Sequence, residues 1–250
     1  MASKGKLGAL LLAGTLALST TAVADVRPDS LVQSKVEYRL QQKKELRNVQ
    51  ASVSDGVVAL NGSVDRYKNK LDAVKQVKKE KVDAIRDNIV VNGDSVPDAE
   101  LAATLAKQLR NDRWNQGHVF NWYTVSVKNG VATISGDVRT PVDKDSALSL
   151  AANMPGVKGI VDQVKVLPTS IYDDRLRLQM VRAIYGDNVL SRYGTNPQAP
   201  IRIVVDHGHV SLYGAVQSDM DRQIAGIRAS QVSGAFSVEN HLTTDQSVIR

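Results

Sequence analysis

Few residues of this chain have the types and spacing that catalysis or metal binding requires. Three of the four histidines, His207, His209 and His241, fall close together near the end of the 250-residue sequence. His207 and His209 form a pair near the third repeated phrase, whereas nothing in the sequence fixes His241 beside them as a third ligand. Such a pair is weak evidence for a metal, because metal sites in proteins use at least three protein ligands. The chain has no cysteine and no G-x-S-x-G motif around a nucleophilic serine. We therefore predict that the protein is not an enzyme and holds no metal or cofactor.

A basic segment offers the first binding chemistry. Seven basic residues fall within 66–81, and Leu71, Val74 and Val77 are spaced as the buried side of a helix over 70–80. The lysines predicted to point outward are Lys68, Lys75, Lys78 and Lys79. Each lysine beside an anionic membrane is worth about 1 kcal/mol. This face therefore predicts binding of anionic phospholipid, and the alternative is a solvated helix surface that acidic neighbours partly neutralise.

An aromatic segment offers the second. Aromatic residues make up 4% of the chain, yet both tryptophans and one of the two phenylalanines fall within 113–123, RWNQGHVFNWY. Tryptophan and tyrosine beside a cation are typical of a membrane interface. The residues predicted to contact lipid are Arg113, Trp114, Phe120 and Trp122. The alternative is that these rings fill a small core or a joint between domains, which is the commoner fate of tryptophan.

One phrase, repeated three times, organises the chain. It reads VSDGVVALNGSV at 53–64, VKNGVATISGDV at 127–138 and VDHGHVSLYGAV at 205–216. The dipeptides Asp-Gly, Asn-Gly and His-Gly within it predict two-residue hairpin turns with positive φ at both positions. The turn glycines are Gly56, Gly130 and Gly208.

A second glycine follows six residues later in each copy, inside the second strand of the hairpin. These glycines are Gly62, Gly136 and Gly214. Alternation places them on the apolar, inward face, and a glycine inside a strand is favoured where another backbone approaches closely. We predict that all six glycines are structural, and that a helix crosses the sheet at the second of each pair.

The elements around each phrase repeat as well. A helical pattern precedes it, and a second helix and a short strand follow, so each unit has the order α-β-β-α-β. In the first unit Val32, Val36 and Leu40 share one helix face, and Ser30 is the predicted N-cap. The predicted fold is α+β, with three tandem αββαβ domains, each of two helices packed on a three-stranded mixed sheet.

The first 24 residues are typical of a secretory signal peptide. Lys4 and Lys6 precede the apolar run 7–18, and Ala22-Val23-Ala24 forms a small-x-small cleavage site. Cleavage after Ala24 would leave Asp25 as the mature N-terminus. We therefore expect an exported, soluble protein of the bacterial periplasm.

Short proline-containing joints divide the mature sequence into predicted domains at 25–95, 96–168 and 169–250. Their net charges are +3, +1 and zero, so the excess of positive charge lies mostly in the first domain. An exported basic protein favours an anionic partner other than nucleic acid.

The repeated pattern V-x-x-G-x-V-x-L-x-G-x-V resembles that of the BON (bacterial OsmY and nodulation) domain family. Downstream residues extend the resemblance, with Gly156-Val157 and Gly234-Ala235 at the helix–strand turns of the last two copies. The first copy departs from it, since Lys81-Val82 stands there. The resemblance implies an αββαβ fold in a periplasmic protein, a role in envelope integrity or osmotic-stress tolerance, and binding of phospholipid surfaces.

Three functions stay open at this point. The leading one is a non-catalytic envelope protein that binds anionic phospholipid weakly, with the first domain supplying charge and the aromatic segment supplying insertion. The second is a scaffold that docks onto envelope proteins through sheet edges or the aromatic segment. The third is a protein that binds a small ligand or an ion between two domains.

Overall fold

A computed structural model describes residues 28–112, 117–196 and 200–244. The predicted signal peptide lies outside these described residues, as do Arg113 and Trp114. Within the described ranges, no helix is both long and apolar enough to cross a membrane.

The order α-β-β-α-β occurs three times, as predicted. The first unit contains α1 (Asp29–Gln41), β1 (Val49–Ser54), β2 (Val57–Val64), α2 (Tyr67–Val77) and β3 (Ala84–Val91). The second contains α3 (Asp98–Asn111), β4 (Trp122–Lys128), β5 (Val131–Val138), α4 (Pro141–Asn153) and β6 (Gly159–Val166). The third contains α5 (Ile171–Tyr185), the short α6 (Ser191–Gly194), β7 (Ile201–Asp206), β8 (His209–Gly214), α7 (Asp219–Ser230) and β9 (Ser237–Asn240). Short 3-10 helices span Lys44–Leu46 and His118–Phe120.

Each unit has one three-stranded mixed sheet with the second strand of the hairpin at its centre. The hairpin strands pair antiparallel, and the last strand pairs parallel to the central one. Parallel pairing requires a crossover connection, which the second helix of each unit provides. The predicted fold class is therefore confirmed.

The first helix of each unit buries the face predicted from its apolar spacing. In α1 this face is Val32, Val36 and Leu40, all at most 4% exposed. The helix begins at Asp29 rather than after Ser30, and Pro28 is its N-cap. Proline is favoured at this end because an amide there has no partner within the helix.

The second helix of the first unit is rotated relative to the prediction. It begins at Tyr67, and its buried residues are Ala73, Gln76 and Val77. Leu71 is 46% exposed, so its predicted place in the core is wrong. The small side chain of Ala73 lets the helix lie close to the sheet, and this rotation turns Leu71 towards the solvent.

The three hairpin turns have the predicted left-handed backbone. Their first residues, Asp55, Asn129 and His207, have φ between 50° and 53°, and the glycines that follow have φ between 74° and 79°. Asp, Asn and His tolerate this region better than most residues.

A carboxylate from the first helix binds each of these turns. One aspartate in the first turn of that helix accepts hydrogen bonds from both backbone N–H groups of the hairpin turn, at 2.6–3.2 Å. The sets are Asp29 with Asp55 and Gly56, Asp98 with Asn129 and Gly130, and Asp173 with His207 and Gly208. The helix dipole also favours a negative charge at this end. We call this arrangement the aspartate clasp; it joins the first helix to the hairpin.

The strand glycines have a different role from the one predicted. Gly62, Gly136 and Gly214 have φ between 112° and 134°. A Cβ built at each would lie about 2 Å from a backbone carbonyl oxygen at the start of the neighbouring hairpin strand, at Asn48, Trp122 and Pro200. The close neighbour is therefore a strand and not a crossing helix, so that part of the prediction is wrong. Only a residue without Cβ is compatible with both the backbone angle and the carbonyl.

The aspartate clasp predicts the effect of removing a carboxylate. We expect Asp173→Ala to lower the free energy of unfolding by about 2–4 kcal/mol, because the buried N–H of Gly208 and the partly buried N–H of His207 both lose a charged acceptor. Urea unfolding measures this change. The control is Asp219→Ala, which removes an exposed carboxylate from the first turn of α7 and should cost at most about 1 kcal/mol. Equal losses in the two variants would contradict the clasp.

The strand glycines give a second prediction. Gly136→Ala should destabilise the protein by about 2–3 kcal/mol, because alanine is strained at φ 124°. Gly159→Ala in β6 is the matched control, since a Cβ there meets only the Val131 side chain at 3.5 Å. It should change stability by no more than about 0.5 kcal/mol. A thermal melt of each variant measures the difference, and similar melting temperatures would contradict this explanation.

Candidate functional site

The predicted basic face lies on α2 and the turn that follows it. Lys75, Lys78 and Lys79 are exposed. The Lys79 ammonium donates to the neutral amide of Gln76 at 2.8 Å. Among the described residues, no carboxylate forms an ion pair with any of the three lysines. Their positive charge is therefore available to an anionic surface.

Other basic groups near this face are neutralised. Lys68 pairs with Asp72 at 2.7 Å, and Lys70 pairs with Asp87 at 3.3 Å. Arg39 pairs with Glu80 at 2.6 Å, with the carboxylate nearly buried. Of the four lysines predicted to bind lipid, Lys68 therefore adds the least net charge.

The described part of the aromatic segment joins the second unit to the third. Phe120 is 9% exposed and belongs to the hydrophobic core of the third unit. The Trp122 ring stacks on Tyr213 with centroids 5.1 Å apart and planes at 6°. The Tyr213 ring stacks in turn on His241 at 4.9 Å. Burial of Phe120 contradicts its predicted contact with a membrane. The Trp122 ring is half-buried and stacks across the joint between the two units, so its contact with lipid stays a prediction.

A buried arginine reinforces this joint. Arg202 on β7 is 4% exposed. Its guanidinium donates to the carbonyl of Arg110 at 2.7 Å and to the carbonyl of His118. Burial lowers the pKa of Arg202 to about 10, so the side chain stays charged at neutral pH. The strand pattern alone gives no signal for this role, because Arg202 occupies an outward position of β7 that the second unit covers.

Two ion pairs also link the second and third units. Lys165 binds Asp206 at 2.7 Å, and Arg139 binds Asp174 at 3.3 Å. The hydrogen bond from Lys165 lowers the pKa of Asp206, even though partial burial opposes this shift. The joint therefore combines ring stacking, a buried cation and exposed charge pairs.

The histidines near the end of the chain have ordinary polar partners. His207 contacts Asp206 at 2.7 Å, and His209 contacts the Ser237 hydroxyl at 2.8 Å. Across the described ranges, no group of three or more His, Asp or Glu side chains is arranged to hold a metal ion.

One exposed apolar surface was not predicted from the sequence. Ile171 and Phe236 are 74% and 72% exposed, and the Phe236 ring stacks on Tyr172 at 6.1 Å. The backbone N–H of Phe236 donates to the turn carbonyl of Gly208, as those of Asp83 and Lys158 do in the other units. Aligning the three copies places Phe236 opposite Asp83 and Lys158. The sequence therefore does contain a signal for this surface, namely an aromatic residue where the other two units have a charged one.

The chain matches the BON domain family over residues 28–93, 97–168 and 183–246. Among solved structures it is similar to CdsD, a structural protein of the type III secretion system of Chlamydia trachomatis. The identity is 17% over 88% of this chain and 96% of that chain, with a TM-score of 0.23. The C-terminal domain of CdsD gives 15% identity over 87% and 98%, with a TM-score of 0.24. Scores this low carry no functional implication, and no curated protein matches the chain.

The Lys165–Asp206 pair predicts a pH dependence. Because the pKa of Asp206 is lowered in the folded protein, its contribution is present above the unfolded value near 3.9 and is lost as the pH falls through the folded value. Asp206→Asn should lower the melting temperature at about pH 7 by no more than about 3 °C. This gap should narrow as the pH falls through the unfolded value, and it should vanish once Asp206 is protonated in the folded protein as well. A difference in melting temperature between Asp206→Asn and the unchanged protein that is constant with pH would refute the linkage.

Proposed function

The chain belongs to the BON domain family, and we propose that it is a non-catalytic envelope protein that binds anionic phospholipid through the basic face of its first unit. BON domains occur in periplasmic proteins. In that compartment the large anionic surfaces include membranes rich in phosphatidylglycerol or cardiolipin. The proposed role is to support envelope integrity under osmotic stress.

The observation that carries this proposal is the set of three exposed lysines without a carboxylate partner on α2 and its following turn. Lys75, Lys78 and Lys79 lie within two turns of chain, so one flat surface reaches all of them. At about 1 kcal/mol for each lysine near an anionic surface, together they supply weak, reversible binding. Such binding is screened by salt, because exposed charges interact over about 10 Å at 0.1 M ionic strength.

The other units divide the remaining roles. The second unit connects the first to the third: Tyr67 and Arg66 contact it from the first unit, and the aromatic and arginine joint links it to the third. The third unit is neutral overall, so it contributes little attraction to an anionic membrane and serves as a spacer or a surface for a protein partner.

A second candidate function is protein docking through the third unit. The exposed side chains of Ile171, Tyr172 and Phe236 favour it, because apolar surface of this kind is typical of interaction sites. Docking of this kind depends on apolar contact, so salt should change it little. The response to salt therefore separates it from the binding of lipid by lysines.

Removing the three lysines tests the proposal. In cosedimentation with vesicles, the full chain should bind phosphatidylglycerol vesicles in preference to phosphatidylcholine vesicles, and less at about 300 mM than at about 50 mM salt. Changing Lys75, Lys78 and Lys79 together to Ala should weaken binding about a hundredfold.

The matched control changes three exposed lysines elsewhere, Lys35, Lys107 and Lys128, to Ala. This variant has the same net charge and should lose much less affinity. An equal loss in both variants would show dependence on net charge alone. Absence of binding to either vesicle would refute the lipid proposal and favour docking onto protein.

A further inference from the structure

A groove lies between the first and second units, beside the basic face of α2. Its volume is about 420 Å³, within the range of pockets that bind small molecules. Both units contribute apolar side chains to its walls: Tyr67 and Leu71 from α2, Leu148 and Ala152 from α4, and Ile160 from β6.

The two walls of the groove are joined by direct contacts. Tyr67 packs against the hydrophobic cores of both units. The guanidinium of Arg66 donates to the carbonyl of Asn153 at the end of α4. The groove is therefore a built feature of the first joint and not a gap between separate domains.

The charges at the groove favour an anionic ligand. Asp72 binds Lys68 at 2.7 Å, and Asp162 binds Lys144 at 2.7 Å, so each carboxylate beside the groove is already paired with a lysine. Lys75 also lines the groove and has no ion-pair partner among the residues that the structure describes. The groove thus combines an apolar wall with one uncompensated ammonium.

Of the apolar residues that line the groove, Leu71 is the one whose exposure is least accounted for by packing within its own unit. It is 46% exposed and contributes little to the core of the first unit. Lys68 and Lys75 lie three and four residues from it, one turn away on the same side of α2. An apolar side chain between two lysines is stabilised when an apolar group with an anionic end covers it.

We propose that this groove binds one acyl chain of an anionic phospholipid, whose phosphate pairs with the ammonium of Lys75. The inference rests on the proposed function and extends it, because it assigns part of the affinity to apolar contact with a single lipid molecule. Binding of this kind is less sensitive to salt than binding by lysines alone.

The first test asks whether the acyl chain of the lipid lies in the groove. Lysophosphatidylglycerol with a nitroxide on its acyl chain is added, below its critical micelle concentration, to the full-length protein carrying isotope-labelled methyl groups. The nitroxide should broaden the NMR signals of Leu71, Leu148 and Ile160. The methyl groups of Ile227, exposed on α7 of the third unit, should not broaden.

The second test removes the apolar wall without changing charge. Leu71→Asn should weaken the binding of lysophosphatidylglycerol about tenfold, the effect expected when part of a leucine loses its apolar contact. Ile227→Asn is the matched control, since it makes the same kind of change at a side chain that is 56% exposed. The control should bind as the unchanged protein does.

The outcomes separate this inference from the proposed function. Salt-sensitive binding to anionic vesicles without broadening at the groove would overturn the acyl-chain site, and the proposed binding of lipid by the basic face would still stand. Broadening at Ile227 equal to that at Leu148 would also overturn it, because the lipid would then bind without preference. Binding of neither vesicles nor lysophosphatidylglycerol would overturn both.

Discussion

The hydrogen bonds of one carboxylate to one hairpin turn hold each unit together. A two-residue turn leaves two N–H groups pointing outward, and the aspartate in the first turn of the preceding helix accepts both. The contact spans 26 to 35 residues of sequence and aligns the helix with the central strand. The buried helix residues, such as Leu105 and Met180, then face the sheet of their own unit. The clasp occurs in all three units, so it belongs to the repeated architecture and not to any single function.

The differences among the units lie around this common frame. Beside the turn glycine the chain has Asp83, Lys158 or Phe236, and the backbone hydrogen bond to the turn is the same in each case. Side chains at this position point outward and add nothing to the core, which leaves them free to vary. The first unit carries unpaired lysines and the third carries exposed apolar rings, so the three copies present different chemistry on one scaffold.

The two joints are built differently. The second and third units share a stacked Trp122–Tyr213 pair and the buried Arg202, with ion pairs around them. The first and second units meet through Tyr67 and one arginine–carbonyl contact, and they leave an open groove. Ring stacking and buried hydrogen bonds close the joint between the second and third units, whereas the joint between the first and second units keeps apolar surface accessible to a ligand.

Much of the fold follows from the sequence because its signals are local. The Asp-Gly, Asn-Gly and His-Gly turns set the hairpins, and the spacing of Val32, Val36 and Leu40 sets the buried face of the first helix. The basic segment on α2 could also be predicted, since seven basic residues stand close together in the sequence. These features depend on neighbours a few residues away.

Only the tertiary structure decided which side chains are accessible, because burial depends on segments that are distant in sequence. It turned Leu71 outward by placing Ala73 against the sheet, and it buried Phe120 and Arg202 by packing the second unit on the third. It also showed that a strand carbonyl, rather than a helix, requires glycine at 62, 136 and 214. The sequence thus determined three αββαβ units and a basic helix, and the packing between the units determined which of their surfaces remain free to bind.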